Sequence, residues 1–201
     1  MPSPLAALLL SLLALSPTDP TFPGDVHSTP TGPVWVDMAF VGAEKPHEGI
    51  GRGVIEAPPE RVWRALTDYA HWHEFMPFLE KSGAQPQPDG SVLSDHALAL
   101  PLGELHYKVR FIHTVEPIPE GKVWRIRWAA VPGSGNVTDH RGSWTLTALE
   151  PGRTLAVCHL YTEAAAAPPG VMDRGTANML AWIFHGLRQH VRRARYDAGG
   201  R

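Results

Sequence analysis

The chain has 201 residues, 43% of them hydrophobic and 19% charged, which is enough apolar material for one domain of ordinary size with a real core. Its 18 basic and 20 acidic side chains leave a formal charge of -2, so no global basic field recruits nucleic acid. A single cysteine, Cys158, excludes intramolecular disulfide stapling, and no Cys/His spacing suggests a structural zinc site.

The run Leu5 to Leu15 is apolar and uncharged, about the length of a signal-peptide core and too short to span a bilayer comfortably. Residues 1–16 are therefore expected to be a signal peptide, which places the protein in an extracytoplasmic space, periplasmic or secreted. Proline, Thr, Ser, Gly and Asp dominate Ser16 to Pro33, a composition that reads as linker, and 34–41 can form a short extended segment. Residues 17–48 are accordingly expected to be a Pro-rich linker and N-terminal extension, with the folded domain over 49–197.

Gly49 to Glu56 alternates as a strand until Pro58 and Pro59 end it. Val62, Trp63, Leu66 and Tyr69 recur at helical spacing, and Asp68 is placed to cap a second short helix that runs to Met76 and closes at Pro77. From there the period is two, broken by turns at Pro88-Asp89-Gly90, Pro101-Leu102-Gly103, Pro119-Glu120-Gly121, Gly133-Ser134-Gly135 and Pro151-Gly152. Six antiparallel strands fit between these breaks, and short turns make a meander the economical topology. A last helix is predicted from about Gly170 to Tyr196, with Met172, Met179, Ile183, Leu187 and Val191 as its apolar stripe. At about 25 residues it rises roughly 37 Å, enough to cross a curved sheet.

That element order, together with the strand-Ala57-Pro58-Pro59-Glu60-Arg61-Val62-Trp63 opening, the Leu66-Thr67-Asp68-Tyr69 run and the Phe75-Met76-Pro77 exit, resembles the START-like, birch-pollen-allergen-related superfamily. Within it the similarity is greatest to the polyketide cyclase/dehydrase and coenzyme Q-binding families. The resemblance implies an α+β helix-grip fold: a curved antiparallel sheet of about seven strands wrapped on the long C-terminal helix, with two short helices after the first strand. It also implies an internal cavity for lipids, sterols, quinones or polyketides, without fixing which function the fold carries.

Strand alternation puts Tyr107, Val109, Phe111 and His113 on one face and Trp124, Ile126 and Trp128 on one face of the next strand. With Met179 and Ile183 of the terminal helix, these nine residues are the expected ligand-cavity lining; His96 joins by the same alternation, and Trp144 and Trp182 are further aromatic candidates. In the last strand, Leu155, Val157, His159 and Tyr161 alternate with Ala156, Cys158, Leu160 and Thr162, and both sets are too mixed to say which faces inward. No catalytic residue, metal ligand or cofactor is assigned: the eleven histidines lack ligand spacing, and Cys158 reads as a small buried filler. The leading expectation is a carrier of a hydrophobic small molecule. Its rivals are a cyclase/dehydrase-like enzyme using His113, Tyr107 or His159 as acid or base, and an interaction module with a vestigial cavity. The arginines of the terminal helix suit its dipole, and transient membrane contact through that helix is the sharper reading.

Overall fold

The computed structural model describes residues 20–100, 103–119, 121–164 and 168–197. Ten strands form one antiparallel sheet: β1 (Asp25–Thr29), β2 (Gly32–Ala39), β3 (Glu48–Ile55), β4 (Leu79–Lys81), β5 (Gln85–Pro86), β6 (Val92–Leu100), β7 (Gly103–Ile118), β8 (Gly121–Ala130), β9 (Asp139–Glu150) and β10 (Arg153–Glu163). Their order across the sheet is β1-β2-β3-β10-β9-β8-β7-β6-β4, with β5 also paired to β6. The meander from β6 to β10 is the one its turns predict; Gly90 and Gly152, at φ +79 and +81, sit in turns that a side chain would strain. Helix α1 (Pro59–Thr67) starts with Pro at its first turn, where the missing N–H costs nothing. A 3-10 helix over Tyr69–Glu74 follows, and the long helix α2 (Pro169–His190) closes the fold, followed by a 3-10 turn over Ala194–Tyr196.

The helix-grip α+β architecture stands, with ten strands in place of about seven. The additional strands are the two of the β1–β2 hairpin, which adds to the edge of β3, and one more because the expected strand before Pro88 is split into the two very short strands β4 and β5, both paired to β6. The sheet thus reaches N-terminal of residue 49, into the stretch read from composition as linker. Pro30 lies in the hairpin turn and Pro33 pairs Ser28 beside it, at the end of the ladder, where proline is tolerated. The expected signal peptide, residues 1–16, lies outside the described residues.

Two covers close the inner face of the sheet. Helix α2 lies over β2, β3 and β10, and it comes close because β3 presents only Gly49, Gly51 and Gly53 beneath it. A Cβ on Gly49 would stand 2.6 Å from Thr176 and 2.7 Å from Leu180; one on Gly53 would stand 2.8 Å from Phe184. The buried face of α2 is consequently Thr176, Leu180, Ile183, Phe184 and Leu187. The stripe expected from Met172 and Met179 is displaced toward Leu180 and Phe184, which the glycines admit. Arg188 extends from this face to donate to the carbonyls of Val54, Gly32 and Pro33 at 2.8–2.9 Å, tying the helix to β3 and the hairpin. The second cover is α1 with the 3-10 helix. Asp68 makes no capping bond there; it accepts from His71 and from the Tyr196 hydroxyl instead.

A ring-lined candidate binding site between sheet and helices

Register fixes which side chains share the inner face. Phe111 stands opposite Val92 of β6 and Trp128 of β8; Tyr107 opposite His96; His113 opposite Ile126; and Ile126 in turn opposite Trp144 of β9. Continued into β10, the same face carries Ala156, Cys158 and Leu160. The ambiguous last strand therefore turns its second set inward. His159 is on the other face, 3.5 Å from Glu48, and Tyr161 lies there too, beneath the Arg141 guanidinium at 4.0 Å.

Tyr69 and Trp72 of the 3-10 helix press onto this face. The Tyr69 ring stacks on Phe111 with centroids 4.2 Å apart, and Trp72 meets Phe111 edge-on at 4.9 Å and Trp128 at 6.4 Å. His96 approaches Phe111 at 5.9 Å, and Tyr107 lies 4.7 Å from His140. Offset and edge-to-face pairs of this kind are the favoured aromatic geometries. The inner positions from Val92 to Leu98 on β6, Leu105 to Val115 on β7, Trp124 to Ala130 on β8 and His140 to Ala148 on β9 carry no charged side chain.

Polar atoms within the cluster divide into satisfied and unsatisfied ones. Trp128 Nε1, which can only donate, gives its proton to His140 Nε2 at 3.1 Å, so His140 Nδ1 carries the hydrogen and donates to Thr162 at 2.9 Å. Both nitrogens of His140 are spoken for. Burial, then the neighbouring His96, hold its pKa down at about 3. The Tyr69 hydroxyl, His96 Nε2 and Trp144 Nε1 are buried with no hydrogen-bond partner among the described residues. Burial lowers the His96 pKa to about 4, against a small opposing pull from Asp95, so its imidazole is neutral at physiological pH; burial also pushes the Tyr69 and Tyr107 hydroxyls upward. Cys158, buried in the core with its thiol pushed up by burial first and Glu48 second, is a filler.

Of the nine expected lining residues, Tyr107, Val109, Phe111, Trp124, Ile126 and Trp128 are buried on the inner face, Ile183 is buried from α2, and Met179 is partly buried against the core. His113 keeps the predicted face but is exposed at its end, edge-on to Trp63 of α1. Trp182 belongs to the outer surface of α2, 52% exposed. With Phe78 and His185 it borders a surface groove of about 380 Å³ between α2 and the exit of the 3-10 helix. Sequence spacing places Tyr69 in a helical apolar pattern and singles out nothing at Trp72, because spacing does not show what a ring meets across the fold. Among the described residues no three His, Cys, Asp or Glu side chains gather as a metal-ligand set.

This geometry has relatives. Residues 52–194 match the family described as polyketide cyclase/dehydrase and lipid transport. A STAR-related lipid transfer protein fragment from Xanthomonas axonopodis superposes with a TM-score of 0.69 at 18% identity, over 84% of this chain and 98% of that one. The human StAR-related lipid transfer protein 5 gives 0.64 at 15% identity, over 83% and 85%. The Zhui aromatase/cyclase from Streptomyces sp. R1128 gives 0.53 at 18%, over 76% and 97%. No curated protein matches the chain. With 143 consecutive residues under the family's pattern and the helix grip built as its members build it, the chain belongs to the polyketide cyclase/dehydrase and lipid transport family of START-like proteins.

Proposed function

We propose that the protein binds and carries a hydrophobic small molecule, lipid-like, quinone-like or polyketide-like, between the inner face of the sheet and the helices that cover it. The observation that carries this reading is the uncharged, ring-lined surface of β6 to β9 under Tyr69 and Trp72. An interior of rings with a few polar atoms is the chemistry of a site that takes apolar ligands and orients them. The names of the structural relatives, two of them lipid transfer proteins, lend support at the level of ligand class.

The cyclase/dehydrase reading draws less support. Its candidates are dispersed, with His159 on the outer face and His113 at the exposed end, and His140 beside Tyr107 has no nitrogen left for a substrate proton. Extracytoplasmic location and transient contact of α2 with a membrane belong to the same proposal; Trp182 on the exposed side of α2 and Arg192, exposed just beyond its end, suit an interface.

Native mass spectrometry with organic extraction, on protein purified without refolding, tests the reading. A hydrophobic species near unit stoichiometry, lost in the Phe111→Arg variant, is the expected result. An empty protein that also takes up nothing from a total lipid extract overturns it.

A further inference from the structure

We propose that the ligand is uncharged and ring-shaped, and that it carries a hydroxyl or carbonyl which joins the Tyr69 hydroxyl and His96 Nε2 by hydrogen bonds. The inference rests on the binding reading above and narrows it.

Four observations lead there. Tyr69 and His96 come from different elements, the 3-10 helix and β6, yet both pack on the ring of Phe111. Each is more than nine-tenths buried, and each presents a polar atom with no partner among the described residues. Folding normally satisfies such atoms, so a pair of them beside one ring is an expense that a ligand's oxygen offsets. Tyr69 can donate and accept, while the neutral His96 donates or accepts according to its tautomer, which suits a hydroxyl or a carbonyl alike. The third observation is the missing countercharge. The inner positions of β6 to β9 hold no Lys or Arg, and a carboxylate or phosphate brought among these rings would lose its hydration with nothing to replace it. The buried Arg188 is engaged at the far half of the sheet, on the carbonyls of Val54, Gly32 and Pro33. Flat rings on every side, Trp72, Phe111 and Trp128 among them, favour a ring system over a bare acyl chain.

The test titrates the full chain with two uncharged probes, decylubiquinone and dehydroergosterol, and one anionic probe, cis-parinaric acid at pH 8, following tryptophan fluorescence. At least one uncharged probe is expected to saturate, with cis-parinaric acid at least tenfold weaker. Tyr69→Phe and His96→Phe should each weaken the uncharged probe about tenfold, the scale of one lost hydrogen bond. Tyr69→Phe should also raise the melting temperature of the ligand-free protein, since it removes an unsatisfied buried oxygen and little else; a residue with a purely structural role gives the opposite sign. Equal or tighter binding of cis-parinaric acid overturns the proposal and leaves the carrier reading standing. So does unchanged affinity in Tyr69→Phe, which decides the matter even where His96→Phe does not fold. Failure of all three probes to bind overturns both.

Discussion

His96 and His140 stand inside the sheet with pKa values of about 4 and about 3, well under the ordinary imidazole value. The unfolded chain takes up protons at these rings below about pH 6.5, whereas the folded chain does not, so stability is full above that pH and declines as pH falls toward 4. Denaturant midpoints measured from pH 7 to pH 5 should fall, and His96→Phe should flatten the slope by about 1.4 kcal/mol per pH unit, the value of one proton. A second prediction lives at Gly53. Its Cβ position is 2.8 Å from Phe184 and 2.9 Å from Arg188, so Gly53→Val should cost about 1–3 kcal/mol by overpacking, measured as a lower midpoint with unchanged denaturant dependence.

At the scale of elements, the meander was readable because β7 and β8 alternate cleanly, with Tyr107, Val109 and Phe111 or Trp124, Ile126 and Trp128 buried on one side. The β1–β2 hairpin was not, since Pro23, Pro30 and Pro33 make its composition that of a linker. The short extended segment expected over 34–41 is β2, but only pairing with β3, and the burial of Val34, Trp35 and Val36, shows that it belongs to the sheet and brings β1 with it. The register of β10 was likewise beyond its own residues: Gly49, Gly51 and Gly53 on one flank and Trp144 and Leu146 on the other decide it. Removing residues 20–39 separates the two views of the N-terminal stretch. If that stretch is part of the sheet, truncation exposes the β3 edge and strips α2 of apolar cover, and thermal melting should show a loss of several kcal/mol, at about 1.5–3 per large buried side chain, with aggregation. A linker would leave the melt unchanged.

Taken whole, the candidate site was half legible. Its sheet side follows from alternation, but its helical side, Tyr69 and Trp72 over Phe111, depends on how a 3-10 helix six residues long is set down on a curved surface. The glycine track under α2 has a bearing on how such a molecule opens. Where the bare backbone of β3 meets the buried Thr176, Leu180 and Phe184 side chains of α2, no strand side chain lies between them to be pushed aside, so α2 on β3 is the fixed jaw of a vice. The other jaw is the segment 69–78, held by rings that can turn and leading into Phe78, a non-glycine residue at φ +61 that stores backbone strain. Hydrogen exchange should therefore be slowest along β3 and the middle of α2 and faster at residues 69–78, and ligand should protect the second set far more than the first. Loading, on this view, is the work of a short hinge beside a rigid wall, and the long helix that dominates the fold is the part that stays still.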